Sequence, residues 1–326
     1  MQSFEYANPA TLKEAFAALG TSWEDANILA GGTDLLSLMK DYVHSPKRVV
    51  NIKGIKELGG IARKGGNMRI GATVTLDDLS SNAAIRASYP SLVQAALGVS
   101  SPQLRNMGTV AGDLCQRPRC WYYRRGFGLL AKGPNGEALV PTGENKYHAI
   151  FSNGPAYFVS ASTLGPALVA LGATMTIASA SGNRSVAVEK FFVAPTGDGQ
   201  RETDLKPNEI VTEILIPVPA TKNATYEVRQ RELVDWPLAA ASVALRMNGT
   251  TITSASIALG HVAPTIWRAT QAEKMLVGKT ITAETAEAAG EAAVANATPL
   301  SGNRYKVQLT KVAVKRALLA AAGIKS

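Results

Sequence analysis

The chain has 326 residues, 46% of them hydrophobic and 18% charged, enough apolar material for about two domains at roughly 150 residues each and too much for a disordered polymer. Its 34 Lys and Arg outweigh 25 Asp and Glu, a bias compatible with solubility, an acidic partner or nucleic acid that does not choose among them. The apolar runs stop short of about 18 residues, so no membrane span is expected, and two cysteines exclude a disulfide framework. Met1-Gln2-Ser3-Phe4-Glu5-Tyr6 shows no basic stretch followed by an apolar one, so no export signal is read and the cytoplasm is the expected compartment.

In chain order, apolar spacing predicts a helix over 11–19, a strand over 27–30, a glycine pair, a short helix over 35–40 and a strand over 48–52. These make a small α/β lobe spanning about 1–55. Gly65-Gly66-Asn67 separates two strand-like pieces, and 68–74 leads to Thr75, a suitable cap for a following helix. Helical spacing returns at 91–97. Glycine turns then alternate with apolar runs at 164–171 and 174–178, residues 194–200 read as loop, and 209–217 reads as a strand ended by Pro217 and Pro219. This larger lobe covers 56–219, so one domain is expected over 1–219 and a second over 220–326. In the second, strands at 238–247 and 251–259 flank Asn248-Gly249, a hairpin signal, and alanine-rich helices follow from Ala269. After Glu291 no acidic residue occurs, while Arg304, Lys306, Lys311, Lys315, Arg316 and Lys325 are spaced among Val307, Leu309, Val312, Val314, Leu318 and Leu319. That pattern predicts a basic amphipathic helix with a solvated face, or one that docks on a partner.

Three segments carry candidate chemistry. Ile28-Leu29-Ala30-Gly31-Gly32-Thr33-Asp34-Leu35-Leu36 runs from a strand through two glycines into a helix start. Glycines let backbone N–H groups approach a phosphate closely, and a helix start adds partial positive charge, which suits a pyrophosphate; plain helix capping by Thr33 or Asp34 is the alternative. Asn106-Met107-Gly108-Thr109-Val110-Ala111-Gly112-Asp113-Leu114 is a second glycine bend, and two such bends suit opposite sides of one elongated ligand. Cys115-Gln116-Arg117-Pro118-Arg119-Cys120-Trp121-Tyr122-Tyr123-Arg124-Arg125 gathers four arginines, three aromatics and both thiols. It reads as a nucleic-acid patch or as a buried segment whose arginines pair with a neighbouring subunit. Nucleophilic catalysis finds no Gly-x-Ser-x-Gly elbow and no sequence partner for His148 or His261. An intrinsic metal centre would need four ligands from Cys115, Cys120, His44, His148 and His261.

Together these residues resemble the FAD-binding middle subunit of the molybdenum hydroxylases, the family of xanthine dehydrogenases, aldehyde oxidoreductases and carbon monoxide dehydrogenases. Ala30-Gly31-Gly32-Thr33-Asp34-Leu35 resembles the family's first flavin loop and Thr109-Val110-Ala111-Gly112-Asp113 its second. Glu209 through Pro217 is similar to the strand ending the flavin domain, and Ala258 through Thr265 with Trp267-Arg268-Ala269 to the signature of the C-terminal domain. The Cys-Gln-Arg-Pro-Arg-Cys-Trp-Tyr-Tyr-Arg segment resembles the bacterial aldehyde oxidoreductase branch, whose flavin subunits carry an extra [4Fe-4S] cluster held by four cysteines.

The resemblance implies an α+β fold: a two-lobed FAD-binding domain of the vanillyl-alcohol-oxidase (PCMH) type followed by a small α+β domain of the CO dehydrogenase flavoprotein type. It implies an oxidoreductase subunit that does no substrate chemistry itself. A large subunit holds the molybdenum cofactor, a small subunit holds two [2Fe-2S] clusters, and FAD on this chain passes their electrons to an external small-molecule acceptor in a heterotrimeric complex. The flavin contacts it implies are Leu29, Ala30, Gly31, Gly32, Thr33, Asp34, Leu35 and Leu36 from the first loop, and Thr109, Ala111, Gly112 and Asp113 from the second. Thr163 and the apolar walls Val99 and Val211 complete the set.

The chain departs from the family at identifiable positions. Only Cys115 and Cys120 remain of the four thiols, so they are read as remnants or partial ligands of a [4Fe-4S] site, and the insertion as a structural loop. Ala111 and Asp113 replace a glycine and an asparagine of the second loop, Thr163 stands where an aspartate is common, and Glu227 stands near a frequent lysine. These departures support an alternative, a flavin-less structural subunit of the same kind of complex. A basic nucleic-acid-binding protein is the more distant one. Export on a partner's signal is the alternative to the cytoplasm.

Overall fold

The structure is a computed structural model and describes residues 1–99, 101–218, 221–231 and 235–324. Thr11 opens the first helix, Leu12–Ala18, through a capping box in which Glu14 bonds back to the cap. Strands β1 (Glu5–Ala7), β2 (Ala26–Leu29) and β3 (Arg48–Asn51) form a parallel sheet in the order β1-β3-β2. The first glycine bend follows the carboxyl end of β2 and leads into the helix Leu35–Lys40. In open α/β sheets ligands gather at that end of the strands.

The second sheet is antiparallel. Its strands are β4 (Ile61–Lys64), β5 (Asn67–Gly71), β6 (Thr174–Ser179), β7 (Gly182–Ala187) and β8 (Ile210–Pro217), in the order β4-β5-β8-β6-β7. The β4–β5 turn uses Gly65 and Gly66, both at positive φ, a conformation glycine adopts without steric cost. Between β5 and β6 the chain inserts a run of short helices. Thr75 caps Leu76–Ser81, as expected, and Pro90–Gly98 covers the predicted helix at 91–97. The second glycine bend is more regular than a turn: Thr109 is the N-cap of a helix, Val110–Cys115, with its hydroxyl accepting from the Gly112 amide.

The third sheet, β9 (Lys222–Arg229), β10 (Pro237–Asn248), β11 (Thr251–Gly260) and β12 (Trp267–Arg268), is antiparallel in the order β12-β11-β10-β9. The hairpin signal sits at the β10–β11 turn, where Gly249 has φ 59°. The helices Ala283–Ala293 and Tyr305–Ala322 pack together, the latter against β9 and β10. The core beneath the first two sheets also takes in Ala244, Ala258 and Ile266 of the third unit, so the two parts of the chain share apolar contact.

The last helix is less solvated than its sequence predicts. Lys306 is 1% exposed, Lys311 and Lys315 pair with Glu291 and Glu287, and Arg316 lies over the ring of Tyr226. Lys325 and the expected boundary at 219/220 lie outside the described residues. No helix among the described residues is long and apolar enough to cross a membrane.

Candidate functional site

The two bends meet. A Cβ built on Gly31 would lie 1.9 Å from the Met107 carbonyl oxygen and 2.9 Å from the Gly108 Cα, so only glycine lets the first bend rest on the second. Gly32, at φ 74°, turns the chain out of β2. Beside this contact opens a cleft of about 230 Å³.

Most residues expected from sequence line that cleft. Ala30, Gly31, Gly32, Thr33, Asp34 and Leu35 come from the first bend, Thr109, Ala111, Gly112 and Asp113 from the second, and Val99, Thr163 and Val211 from the surrounding elements. Leu29 and Leu36 are the exceptions. Their side chains flank Gly32, 3.1 and 3.2 Å from where its Cβ would stand, and so buttress the bend rather than face the cleft.

The bends offer different chemistry. Among the described residues no protein acceptor takes the amide N–H of Gly31, Gly32, Thr33 or Asp34. In the second bend the amide of Val110 donates to Val74, that of Ala111 to Ala72, that of Gly112 to the Thr109 hydroxyl and that of Asp113 to the Thr109 carbonyl. In the second bend only the Thr109 amide lacks a protein acceptor among the described residues, so backbone donors come mainly from the first. The second contributes chiefly a close, small-residue wall, because its other donors are spent on its own helix start and on the strand end beside it.

A charged cluster surrounds the first bend. The Asp34 carboxylate accepts from the Arg117 amide at 2.7 Å and pairs with the Arg119 and Arg124 guanidiniums, each at 2.8 Å. Arg117 also pairs with Glu202 and donates to His44 Nε2 at 3.0 Å, an atom that Tyr123 Oη meets at 2.9 Å. Burial and the neighbouring Arg117 push His44 down to about 3, so its imidazole is neutral and accepts from the guanidinium. Arg201 lies over the Trp23 ring at 4.1 Å, and burial beside Arg117 draws it down to about 10. Four guanidiniums thus face three carboxylates, Asp34, Asp113 and Glu202. The buried Nε atoms of Arg119 and Arg201 have no hydrogen-bond partner among the described residues. The surplus of cations and donors suits an anion.

In the arginine-aromatic segment, Arg117, Arg119 and Arg124 pair with carboxylates of this chain, which leaves Arg125 as its exposed arginine. Asp113 is likewise turned to a structural task. Its Oδ2 accepts from Ser162 Oγ at 2.6 Å and the Leu164 amide at 2.8 Å, and its Oδ1 from the Thr163 amide at 3.1 Å and Gln116 Nε2 at 2.9 Å. Burial raises its pKa against the pull of those bonds. The carboxylate locks the second bend to the loop carrying Thr163.

The two thiols open onto different cavities. Cys115 lines the cleft, with burial pushing it up to about 12, whereas Cys120 lines a second cavity with its Sγ 3.2 Å from His148 Nε2. One cluster held by both does not fit this arrangement, and among the described residues no group of three or more His, Cys, Asp or Glu side chains converges. Sequence reasoning missed Trp23, His44, Arg201 and Trp236, all on the cleft wall. Each is isolated in the sequence from the residues it joins, and no local spacing marks it.

Residues 2–219 match the FAD binding domain in molybdopterin dehydrogenase, and residues 224–321 match the CO dehydrogenase flavoprotein C-terminal domain. The chain is 34% identical over 323 residues to the carbon monoxide dehydrogenase medium chain of Hydrogenophaga pseudoflava, covering 98% of this chain and 96% of that one. It is 30% identical over 315 residues to the aldehyde oxidoreductase FAD-binding subunit PaoB of Escherichia coli, covering 95% and 96%. Among solved structures, it superposes on a chain of the carbon monoxide dehydrogenase from Hydrogenophaga pseudoflava with a TM-score of 0.77 at 31% identity, covering 99% and 98%. Quinoline 2-oxidoreductase from Pseudomonas putida 86 gives 0.76 at 28% identity, covering 99% and 98%.

Proposed function

The chain belongs to the family of FAD-binding medium subunits of the molybdenum hydroxylases, and from that membership we propose that the cleft between the two glycine bends holds the FAD diphosphate. The four uncommitted amides of Gly31, Gly32, Thr33 and Asp34 carry this reading. Their residues line a cleft in which a guanidinium surplus balances added negative charge. A diphosphate next to Asp34 would ordinarily be repelled; Arg119 and Arg124 neutralise that carboxylate and turn it into a brace. Val99, Leu104, Ile210 and Val211 supply apolar surface for ring systems.

FAD supplies the ability to accept electrons singly and release them singly or in pairs. This chain's residues bind, orient and shield. Gly31 and Gly32 permit close backbone approach, Asp113 fixes the second wall, and the paired arginines set a positive potential. Its partners are a large subunit with the molybdenum cofactor and a small subunit with [2Fe-2S] clusters, and electrons leave to a small-molecule acceptor. The complex works in the cytoplasm.

The test is the absorption spectrum and FAD content of the chain co-expressed with its neighbouring subunits. A flavin spectrum at one FAD per chain that bleaches when the complex receives an aldehyde or a purine is expected. A colourless complex that still turns over would establish the flavin-less structural subunit instead.

A further inference from the structure

A second cavity of about 240 Å³ adjoins the cleft and shares Arg119 and Trp236 with it. Its walls are the rings of Trp121, Tyr147, Phe158 and Trp236 with the aliphatic Val159 and Leu238. Such a lining favours a flat apolar molecule. Three polar atoms of its lining lack a hydrogen-bond partner among the described residues, Arg119 Nε, His148 Nδ1 and His261 Nε2, and both histidines are 2% exposed. A buried polar atom without a partner is costly, and a ligand atom would relieve it. Burial, with Lys306 and Arg229 nearby, pushes His261 down to about 3, so the ring is neutral. In its Nε2–H tautomer it offers one donor.

The cavity presents no free ammonium, and burial draws Lys306 down to about 7. Lys306 Nζ donates to the carbonyls of Tyr147, His148 and His261 at 3.3, 3.1 and 2.6 Å, which matches the three donors of the ammonium form. Among the described residues no carboxylate pairs with it. The terminal nitrogens of Arg119 are engaged by Asp34 and Gln116, which leaves only its Nε. The carboxylate of Asp235, also on the wall, weighs against an anionic ligand.

We propose that this cavity binds an uncharged planar ring bearing carbonyl oxygens, a quinone headgroup, with one carbonyl accepting from His261 and the ring lying among the four aromatic walls. The shared wall of Arg119 and Trp236 sets this occupant beside the flavin cleft, where an external electron acceptor is required. In that respect the inference rests on the proposed function.

Calorimetric titration of duroquinone into the FAD-loaded full chain tests it. Duroquinone is fully methylated and leaves Cys120 no ring position to attack. One site per chain is expected. Binding should weaken about tenfold in His261→Asn, the loss of roughly one hydrogen bond, since asparagine tolerates the φ of 62° at this position. It should disappear in Leu238→Trp, which fills the cavity, with FAD content unchanged in both variants. Durene, the same ring without carbonyls, should bind at least about tenfold more weakly on the same reasoning. Undiminished binding in both variants, equal binding of durene, or displacement of duroquinone when FAD is added to flavin-free chain would overturn the assignment. Should the chain prove to carry no FAD yet bind duroquinone with this variant pattern, the flavin reading fails and the cavity assignment stands.

Discussion

Gly31→Ala is the sharpest perturbation of the flavin site. The added methyl would stand 1.9 Å from the Met107 carbonyl oxygen, where side-chain carbons keep at least 3.0 Å. The bends must then part by about 1.1 Å, and the obstructing atom is backbone, which cannot swing aside like a side chain. Overpacking of this kind costs about 1–3 kcal/mol. If that strain falls on the bound geometry, FAD affinity drops roughly 5- to 150-fold, at 1.4 kcal/mol per factor of ten. The assay is equilibrium FAD binding to flavin-free chain, followed by quenching of flavin fluorescence, with a thermal melt of the same sample. Gly32→Ala is the companion variant. Its methyl would meet only the Leu29 and Leu36 side chains at 3.1–3.2 Å, so its cost is chiefly the left-handed backbone, about 1–2 kcal/mol. Wild-type affinity in Gly31→Ala would refute the idea that contact between the bends shapes the site.

Three further outcomes are expected. Asp34→Asn keeps an acceptor for the Arg117 amide but leaves the Arg119 and Arg124 guanidiniums uncompensated. It should cost about 2–4 kcal/mol, read as a lower melting temperature; an unchanged melt would show that the cluster contributes nothing to stability. In Asp113→Asn one side of the group becomes a donor facing donors, which breaks bonds to Ser162 and Leu164 or to Thr163 and Gln116. Urea unfolding should register a loss of about 1–3 kcal/mol, and a neutral result would mean that the loop holds without it. Acid should destabilise the chain through His148 and His261, which burial draws down to about 4 and about 3. Below the ordinary imidazole value near 6.5 the unfolded chain takes up protons that the folded chain refuses. Stability present at pH 7 is therefore lost as pH falls through 6.5 toward 4, by about 2 kcal/mol per imidazole at pH 5. Melting temperatures that stay flat from pH 7 to pH 5 would contradict this.

Local signals were legible where a few neighbouring residues decide the outcome. The strand, double glycine and short helix around Gly31 and Gly32, the Thr75 cap and the Asn248-Gly249 hairpin each rest on backbone preferences within a handful of positions. The second bend lines the cleft, but the engagement of its Val110 and Ala111 amides depends on Val74 and Ala72 from another segment. The basic C-terminal pattern misled at Lys306, because the carbonyls that hold it come from loops 45–159 positions away.

Residue order alone therefore determined the glycine bends, the capped helices and the family resemblance, since these are carried by short-range conformational preference and by motif. Tertiary structure decided which charges face inward and which thiol faces which cavity. Asp34 finds Arg117 and Arg124 across 83 and 90 residues, and Cys115 and Cys120, five apart, open onto separate spaces. Charge compensation and cavity shape are sums over elements brought together only when the sheets and their covering helices close on a common core, and no spacing along the chain encodes them.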